Sequence, residues 1–209
     1  MLMLFSAELH GGDEDERLIA SLPADSQNKV SGRFDRHTSS LGEFLRLHMM
    51  DVCGAPYDVA KGQYGKPYCP GRRDIAYNIS HSRNLAAGAL LTEDSGEIGI
   101  DIEFIDRSKS ARHERIAARF FTESEREVIL AADDAVREFY LTWTRKEAYL
   151  KYDGSGITRP LTEVDTATLP DVTFDSRIIY DRYGGEYAFT VCVGADVGDI
   201  RDTEIKKIY

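Results

Sequence analysis

Cysteine is scarce and not arranged for pairing. Cys53, Cys69 and Cys192 are odd in number and form no C-x-x-C, which argues against a disulfide framework and a thiolate zinc site and fits a reducing, cytoplasmic setting. Basic charge is also in deficit. With 26 Lys+Arg against 36 Asp+Glu the formal net charge is −10, so no broad grip on nucleic acid or an anionic membrane is expected. Any anionic ligand must meet a local basic cluster. Long apolar runs are missing: nothing approaches the roughly 20 residues of a membrane helix. The apolar start, Met1-Leu2-Met3-Leu4-Phe5, has neither a basic lead nor a cleavage site and reads as a first strand. There is no G-x-x-x-x-G-K-[ST], no G-x-G-x-x-G opening a helix and no H-E-x-x-H, which removes the main support for P-loop, Rossmann and zincin chemistry.

What is there suffices for a core. In 209 residues, 42% are hydrophobic and 30% charged, enough for one large or two small globular units. From an N-cap at Ser39 or Ser40, Leu41, Phe44, Leu45, Leu47 and His48 recur at helical spacing until Gly54 and Pro56. Val136, Phe139, Tyr140, Trp143 and Leu150 repeat the pattern about a hundred residues on, closed by Gly154 and Gly156. Each helix precedes β-rich runs: 75–80, 85–91 and 98–104, then 177–181 and 187–193. Turn signals at Asp94-Ser95-Gly96 and Tyr183-Gly184-Gly185 favour hairpins. The pattern suggests an α+β fold made of two similar halves, 1–104 and 105–209, each a helix on an antiparallel-rich sheet; two units recurring by chance is the competing reading.

Three segments could carry chemistry. In Ile98-Gly99-Ile100-Asp101-Ile102-Glu103 the isoleucines share one face of a strand, and Gly99, Asp101 and Glu103 the other. Two adjacent carboxylates repel unless solvated or bridged by a cation, and hard oxygen ligands suit Mg²⁺; an ordinary acidic outer face is the plainer alternative. Trp143, Glu147 and Lys151 fall along one side of a helix, as a surface ion pair or as an acid and base beside a cleft. In Asn78-Ile79-Ser80-His81-Ser82, Ser80 and His81 point to opposite faces of a strand, which rules out a nucleophile–base pair and leaves anion binding or a satisfied hairpin histidine. Gly65-Lys66-Pro67 is a turn that fixes a cation ahead of a proline, and Arg107, Lys109, Arg112, Arg115 and Arg119 make a basic strip.

Taken in order, Gly65-Lys66-Pro67, the 78–82 segment, the 98–103 strand, Phe120-Phe121-Thr122 with Glu125, and the 143–151 helix with Gly154 and Gly156 resemble the 4′-phosphopantetheinyl transferase superfamily, in its surfactin-synthetase-activating type. The resemblance implies a monomer with two pseudo-two-fold α+β halves and an active site between them. It implies transfer of the 4′-phosphopantetheine arm of coenzyme A to a serine of an apo acyl or peptidyl carrier protein, with adenosine 3′,5′-bisphosphate released.

By the same resemblance Asp101, Glu103 and Glu147 hold Mg²⁺, Glu147 takes the serine proton, and Lys151 stabilises the leaving bisphosphate. Ser80 and His81 meet the coenzyme's phosphates, Lys66 and Pro67 its adenine nucleotide end, and Glu125 lies near the metal. The basic strip falls where the family docks its carrier. One position departs: Thr38 stands where the family has an arginine for the 3′-phosphate, and Lys29, Arg33 and Arg36 are the candidate substitutes. A metal-dependent phosphohydrolase acting on coenzyme A or a nucleotide, and a non-catalytic coenzyme A or carrier-binding module, are the rival readings.

Overall fold

The computed structural model describes the chain apart from residues 34, 93–95 and 155–159 and the side chains of Ser110 and Ala111. The Asp94-Ser95 turn and Gly156 lie outside the described residues. The elements are β1 (Leu2–Glu8), α1 (Asp13–Ser21), α2 (Ala24–Ser31), α3 (Arg36–Cys53), β2 (Ala60–Lys61), β3 (Pro67–Tyr68), β4 (Ile75–Ser82), β5 (Leu85–Thr92) and β6 (Ile98–Phe104). They continue with α4 (Ser110–Phe120), α5 (Glu123–Ala131), α6 (Ala135–Asp153), β7 (Val172–Tyr180), β8 (Glu186–Gly194) and β9 (Ile205–Lys207).

The chain runs the same topology twice. A strand, three helices and a hairpin give the order β4-β5-β1 in the first sheet, and the same succession gives β7-β8-β6 in the second. All four of these pairings are antiparallel. β9 returns to the first sheet and pairs in parallel with β1. Sheet membership therefore differs from the division expected after residue 104: β6 belongs with the second half and β9 with the first. The hairpin expected between β5 and β6 does not form either, because β6 leaves β5 to pair with β8.

The two long helices use one set of end devices. Asp35 caps α3 by accepting from Thr38 N, and Asp134 caps α6 by accepting from Arg137 N. Gly54 and Gly154 close them in the left-handed conformation, at φ 60° and 70°. The α3 cap is thus Asp35 and not Ser39 or Ser40, whose positions lie inside the helix; Ser40 donates to Arg36 O at 2.8 Å.

Alternation in the strands sets the layers. Leu85, Ala87, Ala89 and Leu91 of β5 pack with Ile98, Ile100 and Ile102 of β6 and Tyr187, Phe189, Val191 and Val193 of β8 in a core between the sheets. Their alternates face outward to a helix, with Ala86 and Leu90 against Leu41, Leu45 and Met49 of α3. On the second sheet α6 comes closer still. A methyl added at Gly99 would overlap the carbonyl oxygen of Ala148 and the amide nitrogen of Tyr152, so the missing side chain lets α6 lie directly on β6. That contact sets Glu147 and Lys151 over Asp101 and Glu103.

Candidate active site

The two sheets meet edge to edge at β4 and β6, and side chains stitch the seam. Asn78, Ser80 and Ser82 share one face of β4. The Asn78 Oδ1 accepts from Ile100 N at 3.1 Å, the Ser80 hydroxyl donates to Asp101 Oδ1 at 2.8 Å, and the Ser82 hydroxyl donates to Glu103 Oε2 at 3.0 Å while accepting from Phe104 N. Lys151, in the last turn of α6, adds the third element. Its ammonium donates to Asp101 Oδ1 at 2.7 Å, to Ser80 Oγ at 2.9 Å and to Ile100 O at 3.0 Å.

Asp101 is therefore no surface acid. It is 4% exposed, one oxygen is held by Ser80 and Lys151, and the buried Oδ2 has no hydrogen-bond partner. Its charge acts on its neighbours. Burial, reinforced by Asp101, pushes the Glu103 carboxyl up to about 7, and burial followed by Asp101 also raises that of Glu147. Glu103 and Glu147 are thus both placed where the Asp101 charge makes their ionisation less favourable. Such a set calls for positive charge beyond the single ammonium of Lys151, and its donors are the hard oxygens that suit Mg²⁺. Among the described residues no three His, Cys, Asp or Glu side chains stand grouped as metal ligands, so the structure does not by itself bring Asp101, Glu103 and Glu147 together as one ion site.

Two clefts flank this centre. One, of about 260 Å³, is lined by Tyr64, Gly65, Lys66, Pro67, Glu147 and Lys151. Lys66 is fixed there by donating to Tyr152 O at 2.9 Å and pairing with Glu97 at 2.6 Å, and burial lowers its pKa. The other, of about 280 Å³, runs from Glu103 and Trp143 to Arg83, Lys109 and Arg112.

Other expected residues stand elsewhere. Arg36 is paired with Glu16 of α1 at 3.1 Å. Thr38 is buried and donates to Arg83 O at 2.9 Å, so the family's arginine position here carries a hydroxyl that joins α3 to the β4–β5 turn. His81 is exposed on the face of β4 opposite Ser80; partial desolvation lowers its pKa, and the cations Lys151 and Arg33 push the same way. Arg33 itself is exposed. Glu125 is committed structurally: it completes the capping box of α5, accepts from Thr166, and pairs at 2.7 Å with Lys146. Of the basic strip, Arg107 is tied to Asp134 and Glu186, while Arg112, Arg115 and Arg119 are exposed.

Lys146, fully buried, was not singled out in the sequence. It donates to Leu161 O and Val164 O and pairs with Glu125. Its spacing from Phe139, Thr142 and Leu150 places it on α6's buried face, a signal its charge conceals. The polar alternation of Asn78, Ser80 and Ser82 is likewise readable as one strand face.

Comparison with known proteins decides the family. The model of the 4′-phosphopantetheinyl transferase superfamily matches residues 97–201, from the approach to β6 to beyond β8. A 4′-phosphopantetheinyl transferase of Bacillus subtilis is 34% identical over 164 residues, 73% of this chain and 69% of its own. The chain belongs to the 4′-phosphopantetheinyl transferase superfamily. The transferase is also 33% identical to 4′-phosphopantetheinyl transferase Sfp of Bacillus subtilis strain 168, over 71% of this chain and 67% of that one. The L-aminoadipate-semialdehyde dehydrogenase-phosphopantetheinyl transferase of Saccharomyces cerevisiae is 23% identical over 93% of this chain and 79% of its own. Both halves of the transferase are thus represented among its relatives. Among its described residues no helix is long and apolar enough to cross a membrane.

Proposed function

We propose that the transferase moves the 4′-phosphopantetheine arm of coenzyme A onto a serine hydroxyl of an apo acyl or peptidyl carrier protein, with Mg²⁺ as its metal. The observation that carries this reading is the buried Asp101, one oxygen fixed by Ser80 and Lys151 and the other unpartnered, between two carboxylates of raised pKa. Asp101, Glu103 and Glu147 are the residues that would hold the ion. When bound, Mg²⁺ supplies positive charge against that of the diphosphate.

The chain's own groups account for the rest. The cleft beside Lys66 and Pro67 takes the nucleotide end of coenzyme A, with Arg33 a better partner for its 3′-phosphate than Arg36, which would first have to leave Glu16. His81, at the rim, meets a phosphate, and Ser80 acts through Asp101 and Lys151. The serine oxygen forms a bond to the phosphorus that bears the pantetheine arm as the bond to adenosine 3′,5′-bisphosphate breaks. Lys151 faces the charge left on that bisphosphate. Glu147 accepts the serine proton. The cleft from Glu103 and Trp143 outward gives the carrier its approach.

The test is to incubate the protein with coenzyme A, Mg²⁺ and an apo acyl carrier protein and to weigh the carrier intact. A phosphopantetheine mass gain that disappears in Asp101→Ala is the expected result. Free bisphosphate with an unmodified carrier would overturn it in favour of hydrolysis. Free thiols at Cys53, Cys69 and Cys192 support a reducing cytoplasmic location, to be checked by fractionation. A site assembled from two halves of one chain supports a monomer, which sedimentation would contradict by a dimer mass.

A further inference from the structure

The β4–β5 hairpin closes through Arg83 and Asn84 alone, since Ser82 already pairs with Leu85. Arg83 has φ 51°, and among the described residues it is the non-glycine with positive φ. A glycine would take this conformation without strain. The arginine side chain is therefore held at a backbone cost.

It is also aimed. The Arg83 guanidinium lies 3.4 Å above the centre of the Phe104 ring and 3.4 Å from Asp106. Thr38 fixes the Arg83 carbonyl, while Asn84 bolts the turn to the second half by donating to Asp181 at 3.3 Å and accepting from the Tyr187 hydroxyl. Arg83 thus carries a charge from the first half across to the mouth of the cleft that ends at Glu103 and Trp143. Lys109 and Arg112 line the same mouth. Asp106 is shared by Arg83 and Lys109, and Arg112 has no ion pair among the described residues. In a chain of net charge −10 the cleft lining has three basic side chains, Arg83, Lys109 and Arg112, against two acids, Glu103 and Asp106, and the Arg83 side chain is 53% exposed there.

We propose that Arg83 is a specificity-determining residue that reads an acidic side chain flanking the acceptor serine of the carrier protein. The role rests on the transferase reading above and concerns the acceptor, not the coenzyme. An exposed charge pair of this kind is worth a few-fold in affinity and gives a salt-dependent encounter.

The experiment compares the parent protein with Arg83→Gly and Arg83→Lys, using an apo acyl carrier protein and a version of it whose acids beside the serine are changed to Asn and Gln. Arg83→Gly is expected to raise KM for the acidic carrier by about five-fold, to leave KM for coenzyme A within about two-fold, and to flatten the salt dependence. On the neutralised carrier the same substitution should have no effect. Arg83→Lys, which keeps the charge but not the stacked plane, should fall between. A carrier KM that does not change, an equal rise in KM for coenzyme A, or an equal loss on both carriers would each overturn the proposal. If the parent transfers nothing to either carrier, the transferase reading itself fails and takes this role with it.

Discussion

The two long helices begin and end alike yet rest on their sheets differently. α3 buries Leu41, Leu45, Met49 and Met50 in an apolar interface, where Gly88 leaves room for the flexible end of Met49, 3.2 Å from where a Cβ would be. α6 buries Thr142, Thr144, Lys146 and Ala148. Thr144 meets Thr190 at 2.8 Å, and the helix backbone sits on Gly99. Each helix also buries a cation that pins the segment after it: Arg46 donates to Tyr57 O and pairs with Glu43, whereas Lys146 donates to Leu161 O and pairs with Glu125. One topology therefore serves as scaffold in the first half and as a platform for charge in the second. Backbone contact and hydrogen bonds fix α6 in register on β6, which a site shared between the two would require.

The sharpest way to break this comparison is at the two glycines. Gly99→Ala forces α6 off β6 and is expected to cost about 4 kcal/mol or more and to abolish transfer, whereas Gly88→Ala asks only for a shift of Met49 and should cost about 1 kcal/mol. Urea unfolding of both measures the difference; similar costs would mean that the helices are seated alike. Next in size, Asp101→Ala should lower kcat/KM by about 10²–10³-fold, read by the carrier mass assay, while the fold persists by circular dichroism. Lys146→Met leaves Glu125 buried without its cation and should destabilise by about 3 kcal/mol. A loss much smaller than that would show the pinned segment to be held by its other contacts.

The smallest effect is in pH. The Glu103 carboxyl, near 7 when folded against an ordinary 4.5, keeps a proton that the unfolded chain has already lost between those values. Its stabilising contribution is full below about pH 4.5 and is lost as pH rises through about 7. In the proposed function Mg²⁺ binds the ionised form, and it should then raise the melting temperature by about 2–4 °C more at pH 8 than at pH 6. An equal shift at both values would remove Glu103 from the ion's partners.

Much of this was legible along the chain. Helical spacing located α3 and α6, alternation assigned Ile98, Ile100 and Ile102 to one face and Asp101 and Glu103 to the other, and the ordered blocks pointed to the family. Local patterns carry such information because side-chain direction follows from the period of the backbone. The sequence did not disclose that β6 would desert β5 for β8, that Glu125 would be spent on Lys146, or that Thr38 and Arg36 would engage Arg83 O and Glu16. Those outcomes depend on partners far apart in the chain, and a charged or polar residue looks the same in sequence whether it meets water, a counter-charge or a substrate.

By itself the sequence determined which residues carry charge, which faces they share within one element, and where each helix must stop. Only the tertiary structure decided that Asp101 would be buried with one oxygen unmet, that Lys151 would reach it across the α6–β6 contact, and that Arg83 would hang over the cleft. The reason is physical: burial and proximity are properties of packing between elements, and they set the energy of a charge far more than the residue type does.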